Sequence, residues 1–270
     1  MTPPAPELLA PAGEKASAYA AFAFGSDAVY TGLPRFSARA EAVNLTPRDL
    51  EEVVAYAHSL PRPRRVYITL NTLIREAELP DLIRSLALCD DSGADAVIVQ
   101  DFGVARLART HFPALRLHAS TQMALHNLEG VRAAVRLGFR RVTLARELTL
   151  DEIRDIARQS PGEIETFLHG ALCYSYSGLC LYSALLRDRS GNRGACAYPC
   201  RDTFFSVSET GPNLNGIYKY HSYSDGAKGG LIFSMKDLAG HASLPGLARA
   251  GVASLKIEGR KNHRSMSPPR

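Results

Sequence analysis

The 270-residue chain contains no apolar run long enough to cross a bilayer, which takes about 18 residues. Its start, Met1 to Pro6, reads Met-Thr-Pro-Pro-Ala-Pro and lacks the basic-then-apolar order of a secretory signal. Together these place the chain in the cytoplasm, where thiols stay reduced. Its five cysteines are therefore ligands, nucleophiles or core residues before they are disulfides. No Pro/Ser/Gly-rich linker divides the chain. No Gly-x-Ser-x-Gly elbow and no His-Glu-x-x-His helix is present, so two common hydrolase designs are excluded. Tryptophan is also absent, which excludes nothing.

What is present suits one large α/β domain. Hydrophobic residues make up 46% of the chain, and α/β barrels need about 250 residues. The net charge of +5 is compatible with an anionic partner such as RNA. Arg187, Arg189, Arg193 and Arg201 fall in one stretch, opposed by Asp188 and Asp202. That stretch reads either as an RNA contact or as a solvated loop.

A helix-like segment repeatedly ends at a glycine, and an apolar residue follows four positions later. Gly25 leads to Val29, Gly93 to Val97, Gly138 to Val142 and Gly251 to Leu255. Glycine closes helices in the left-handed conformation, and a short apolar run after it reads as a buried parallel strand. Strands are predicted near Glu7–Ala10, Ala28–Tyr30, Val66–Leu70, Ala96–Val99, Leu115–His118, Arg141–Leu144, Thr166–Leu168 and Ser254–Ile257. Helical patterns cover Pro47–Ser59, Leu79–Ser92, Gly103–His111, Asn127–Leu137 and Leu150–Gln159. Thr46 and Thr149 are predicted N-caps, the latter with Glu152 in a capping box. Eight alternating units predict a closed (β/α)8 barrel. The competing open sheet would carry a Gly-rich dinucleotide loop, and Ala10 to Glu14 (Ala-Pro-Ala-Gly-Glu) is not one.

One barrel domain is expected over residues 1–262, with a short irregular tail at 263–270. The spacing breaks once, in an insertion from about 170 to 253. A structureless loop that long is improbable in a compact domain. A hairpin using Thr203–Val207, Ile217–Tyr220 and Leu231–Phe233 is expected inside it. The residues from Gly259 onward are too few for a normal last helix, so a missing C-terminal segment or a partner subunit is expected to complete the barrel.

The insertion holds Cys173-x6-Cys180-x15-Cys196-x3-Cys200. Four thiols in so short a stretch suit a soft metal centre. Structural zinc uses gaps of two to four residues, which only the Cys196–Cys200 pair offers, so spacing favours an iron–sulfur cluster, with zinc as the alternative. Four reduced core thiols are the bland reading. Cys89 fits a helix core position.

The stretch Glu165 to Ser183, ETFLHGALCYSYSGLCLYS, closely resembles a signature of peptidase family U32. So do SGNRGACAYPCR at Ser190 to Arg201, SLKIEGR at Ser254 to Arg260, PELLAPAG at Pro6 to Gly13 and AVYTG at Ala28 to Gly32. The family carries a collagenase-like protease label. The resemblance is stronger to members that hydroxylate without O2, with a [4Fe-4S] cluster and prephenate as hydroxyl donor. Some of those act on tRNA uridine, some on a cytidine of 23S rRNA and some on ubiquinone precursors. The Ser190–Arg201 segment looks nearest the rRNA type. Some members carry a cysteine after a Lys-Asp-Leu motif; here Leu238 is followed by Ala239, so the resemblance leaves Cys200 as the fourth ligand beside Cys173, Cys180 and Cys196.

In a barrel, strand ends face the active site. The candidates by position are Asn71, Gln100, His118, Gln122, Arg146, Glu147, His169, Glu258 and Arg260. Arg146, His169, Glu258 and Arg260 are the catalytic candidates. Arg146 and Arg260 are the forks best placed for the two carboxylates of prephenate. For each, an ordinary rim hydrogen bond is the competing role. Tyr174, Tyr176 and Tyr182 would stack on a base or pack around a cluster. Proteolysis through a His169–Cys173 pair and a non-catalytic scaffold are the other functional classes.

Overall fold

The computed structural model of the chain describes residues 5–40, 42–204 and 230–259. In chain order its strands are β1 (Glu7–Pro11), β2 (Ala28–Gly32), β3 (Arg65–Leu70), β4 (Ala96–Val99), β5 (Arg116–Ala119), β6 (Phe139–Thr143), β7 (Glu163–Gly170), β8 (Leu238–Ala239) and β9 (Ser254–Ile257). The helices are α1 (Lys15–Ala23), α2 (Pro47–Ser59), α3 (Leu79–Asp91), α4 (Phe102–His111), α5 (Leu128–Arg136), α6 (Leu150–Gln159), α7 (Tyr182–Arg187) and α8 (Leu244–Ala250). Strands β1 to β6 pair in sequence and in parallel. β6 pairs with β7, β7 with β9 and β9 with β1, which closes an eight-stranded parallel barrel. The short β8 lies antiparallel on β7, outside the eightfold pattern.

Local chemistry sets the boundaries. Thr46 accepts from the Asp49 amide and Asp49 returns the bond, with Pro47 at the first helical position of α2. Thr149 and Glu152 do the same for α6. Gly25, Gly93, Gly138 and Gly251 all take positive φ, as the helix-to-strand repeat requires. α1 and α8 escaped the pattern reading: α1 is rich in alanine and has little amphipathic contrast, and α8 is short.

The main core lies between the barrel wall and the helices, around residues such as Val53, Leu70, Leu86, Val97, Val142 and Leu255. Each fully buried aliphatic there contributes about 1.5–3 kcal/mol. The barrel interior differs. Beside Leu9, Tyr30, Tyr67 and Ile98 it holds a charged set. Arg141 bonds Glu7 (2.5 Å), Glu163 (2.8 Å) and Glu165 (3.4 Å), and Lys256 reaches Glu165 at 3.2 Å. Burial opposes ionisation of Glu165, yet the charges of Lys256 and Arg141 hold its pKa down to about 2.

Two expectations change. α8 lies within the stretch read as an insertion, but it packs on α6 and precedes β9 as a regular barrel helix. Of the expected hairpin, Ile217–Tyr220 lies outside the described residues, and Leu231–Phe233 includes a turn rather than a strand. Phe204 and Gly230 exchange two backbone bonds, at 2.8 and 2.9 Å. The tail at 263–270 also lies outside the described residues.

Candidate active site and thiol cluster

The C-terminal ends of the strands converge on one mouth, and the cysteine segment lies across it. Leu73, after β3, donates its amide to the Asn192 carbonyl at 3.0 Å. Gln100, after β4, donates to the same carbonyl at 3.3 Å. Glu147, after β6, accepts from the Ser177 amide at 2.8 Å. Two glycines allow the closest approaches. Gly178 (φ +74°) and Gly194 (φ +82°) sit so near the carbonyl oxygens of Gln122 and Ser37 that a Cβ at either would overlap them. Asn71 holds the loop after β2, accepting from the Ala38 amide at 2.9 Å.

At the centre lies a carboxylate between two arginines. Glu258, after β9, accepts from Arg39 Nη2 at 3.1 Å and from Arg146 Nη2 at 3.3 Å. Arg146 also donates to the Ala171 carbonyl at 3.4 Å and lies 4.2 Å above the Phe167 ring. The Glu258 charge raises the pKa of Arg39 above its ordinary value, against the cost of burial. The Arg39 guanidinium also stands 5.8 Å from the Tyr198 ring centroid. Tyr198 lies between Cys196 and Cys200 and holds a left-handed backbone (φ 56°, ψ 41°), uncommon for an aromatic residue. The arginine–carboxylate set therefore abuts the cysteine segment.

Cys173, Cys180, Cys196 and Cys200 are all free thiols. Cys173 is exposed and the other three half-buried. Burial pushes the Cys200 thiol up, and the neighbouring Cys173 and Cys196 add to the shift, so both lie within electrostatic reach of Cys200. Among the described residues, no three His, Cys, Asp or Glu side chains converge as a single metal ion requires. Thiolates are soft donors of the kind that an iron–sulfur cluster or a zinc ion takes. Ala239 pairs with His169 across β8 and β7, at the edge of the same mouth. Cys89 is fully buried in α3, and burial pushes its thiol up to about 12.

The mouth brings together Asn71, Gln100, Gln122, Arg146, Glu147 and Glu258. His169 is exposed, and its carbonyl accepts from the Glu258 amide at 2.8 Å. His118 is not at the mouth. It lies in the barrel interior with its ring 4.7 Å from that of Tyr67, and burial followed by the Arg141 charge keeps it neutral. Arg260 lies outside the described residues. Arg39 was not foreseen. Its only sequence signal is its place in the loop after a predicted strand.

The arginines near the cysteines hold the loop in shape. Arg193 grips Glu78 with two bonds of 2.7 Å, and Arg201 donates to the carbonyls of Leu172 and Met235. Arg189 donates to the Ala195 carbonyl at 3.0 Å, and Arg187 pairs with Asp202 at 2.8 Å. Tyr174 meets the Phe233 ring edge-on at 4.9 Å and Tyr182 packs near Phe204 and Phe233, while Tyr174 and Tyr176 remain more than half exposed.

The model of peptidase family U32 matches residues 13–267. The chain belongs to that family. This U32 chain is 40% identical to a 23S rRNA 5-hydroxycytidine synthase of Escherichia coli, covering 94% of the chain and 36% of that protein. It is 35% identical to the tRNA hydroxylation protein P of the same organism, covering 94% and 64%. It therefore spans only about a third to two thirds of these relatives. A solved U32 peptidase structure superposes with a TM-score of 0.59 at 16% identity, covering 98% of the chain and 94% of that structure. That likeness agrees with the barrel. No helix among the described residues is long and apolar enough to cross a membrane.

Proposed function

We propose that this U32 chain is the barrel of a cytoplasmic enzyme that hydroxylates a pyrimidine of tRNA or 23S rRNA without O2. The observation that carries the reading is the identity, over 94% of the chain, to relatives named for rRNA 5-hydroxycytidine synthesis and tRNA hydroxylation. Cys173, Cys180, Cys196 and Cys200 would hold a [4Fe-4S] cluster, and prephenate would be the hydroxyl donor. Such a cluster supplies electron transfer at a centre whose potential its surroundings tune.

The chain's own residues set the rest. Arg146 and Arg39 hold negative charge at the mouth, beside the thiols; Glu258 fixes their orientation. His169 and Glu258 are the candidates for moving a proton there, with Arg260 completing the anion forks. Tyr174 and Tyr176 offer exposed rings on which a base would stack.

Mass spectrometry of tRNA and rRNA nucleosides from a deletion strain tests the reading. A missing hydroxypyrimidine is expected, restored by the intact gene. Unchanged RNA with an accumulating quinone precursor would move the substrate to a small molecule. The peptidase reading rests on the family label and on a relative named as a collagenase, 31% identical over 94% of the chain, and no hydrogen bond joins His169 to Cys173 among the described residues. Gelatin cleavage by cluster-free protein would revive it.

A further inference from the structure

Given the RNA-hydroxylase reading, on which this rests, we propose that the cavity between the start of α4 and the cysteine segment receives the target base, and that Gln100 reads that base as a cytosine. The cavity measures about 350 Å³. Its walls include Gln100 after β4, Phe102 at the first position of α4, Gln122 after β5, and Gly178 and Asn192 of the cysteine segment. Gly178 precedes Cys180 by two residues. Asn192 follows Gly191, where a Cβ would stand 4.0 Å from Cys196 Sγ. A molecule in this cavity therefore borders the segment that carries the four thiols.

The lining selects a neutral ring. Asp101 is its one ionisable residue, and its two carboxylate oxygens accept from the amides of Gly103, Val104 and Ile74. No lysine or arginine lines the cavity, in contrast to the Arg39–Glu258–Arg146 set at the same mouth. An anion would meet the Asp101 charge with no cation to offset it. Side-chain amides instead offer hydrogen bonds to a neutral polar ligand. Phe102 is 64% exposed, although phenylalanine is usually buried. An open aromatic ring beside neutral hydrogen-bonding groups is how proteins hold a base taken out of its stack. Tyr174 and Tyr176 do not line the cavity and remain for flanking bases.

The orientation of Gln100 sets the preference between the two pyrimidines. The residue is 7% exposed, and its Nε2 donates to the Asn192 carbonyl at 3.3 Å. A carbonyl only accepts, so the amide is held with its nitrogen towards Asn192 and its oxygen as the unused end. That oxygen has no partner among the described residues and is not sealed from solvent. An unpaired acceptor selects a donor. Cytosine carries an exocyclic amine where uracil carries a carbonyl, a second acceptor. The one N–H on that edge of uracil stands between two carbonyls, and the Gln100 oxygen would be repelled by both. Cytosine is therefore favoured.

Cytidine and uridine are the probes, read by ligand-observed NMR on the anaerobically purified full chain. Cytidine is expected to bind saturably, and uridine about fivefold more weakly. Phe102→Ala should weaken cytidine binding about tenfold or more while Tm and iron content stay as in the wild type, because the ring is exposed. Phe102→Tyr, which keeps a stacking face, should restore the binding. Gln100→Met keeps the length of the side chain without its amide, and should bring the two nucleosides to equal affinity. If Gln100→Met does not fold, the wild-type ratio and the Phe102 pair decide alone. No saturable cytidine binding, or undiminished binding in Phe102→Ala, would overturn the pocket. Equal affinity for uridine in the wild type would overturn the reading by Gln100. These measurements need no hydroxylation. A deletion strain that lacks a hydroxycytidine, with no cytidine bound by the purified chain, would sink the pocket alone. Cytidine binding with every RNA nucleoside unchanged in the deletion strain would sink the hydroxylase reading and leave the pocket as a base-binding site.

Discussion

Arg39 donates to Glu258 at 3.1 Å across 219 positions of sequence. The contact joins the loop after β2 to the end of β9, and with Arg146 on the other carboxylate oxygen it builds an arginine–carboxylate–arginine set at the mouth.

Arg39→Ala should lower RNA hydroxylation by about tenfold to a hundredfold, the equivalent of one charge-assisted hydrogen bond. Arg39→Lys should restore little, because a point charge does not replace a planar fork. Nucleoside mass spectrometry of a complemented deletion strain reads both. Full activity in Arg39→Ala would remove this residue from the site.

Cys200→Ala should lose iron, sulfide and the brown colour of an anaerobically purified cluster protein, since Cys200 lies within reach of Cys173 and Cys196. Cys89→Ala should keep all three, because that thiol is buried in α3. A Cys200→Ala protein with full iron content would mean three protein ligands and one open iron.

Gly178→Ala should cost at least about 2 kcal/mol. The position combines φ +74° with a carbonyl where the new methyl would lie. The cysteine segment would lift from Gln122, so metal content should fall together with Tm. An unchanged Tm with normal iron would show that the segment does not depend on this contact.

Acid should loosen the same segment at its other attachment. The two Arg193 bonds hold the Glu78 carboxyl at about 2, well below its ordinary 4.5. A depressed folded-state pKa means that this contribution is complete above pH 4.5 and is lost as pH falls toward 2. Hydrogen exchange of the peptide around Asn192 should rise across that window in the wild type. In Glu78→Gln it should be fast throughout. A flat wild-type profile would show that the pair does not anchor the loop.

The barrel was legible because its signals are local. Thr46, Thr149 and the helix-closing glycines act within four residues, and the short apolar runs after them specify buried strands regardless of partner. The cysteine spacing was legible for the same reason. His118 misled, because a residue near the end of a predicted strand need not reach the mouth: its ring turns into the barrel beside Tyr67.

The sequence by itself determined the eight strands, most of their helices and the family. Only the tertiary structure decided which polar groups meet. Arg39, Arg146 and Glu258 come from three different strand ends, and nothing in the local pattern of any one selects the others. The same is true of Arg193 and Glu78, which strap the loop to the barrel. Barrel closure brings distant strand ends together, and a charge finds its partner only once the backbone has fixed what lies within reach.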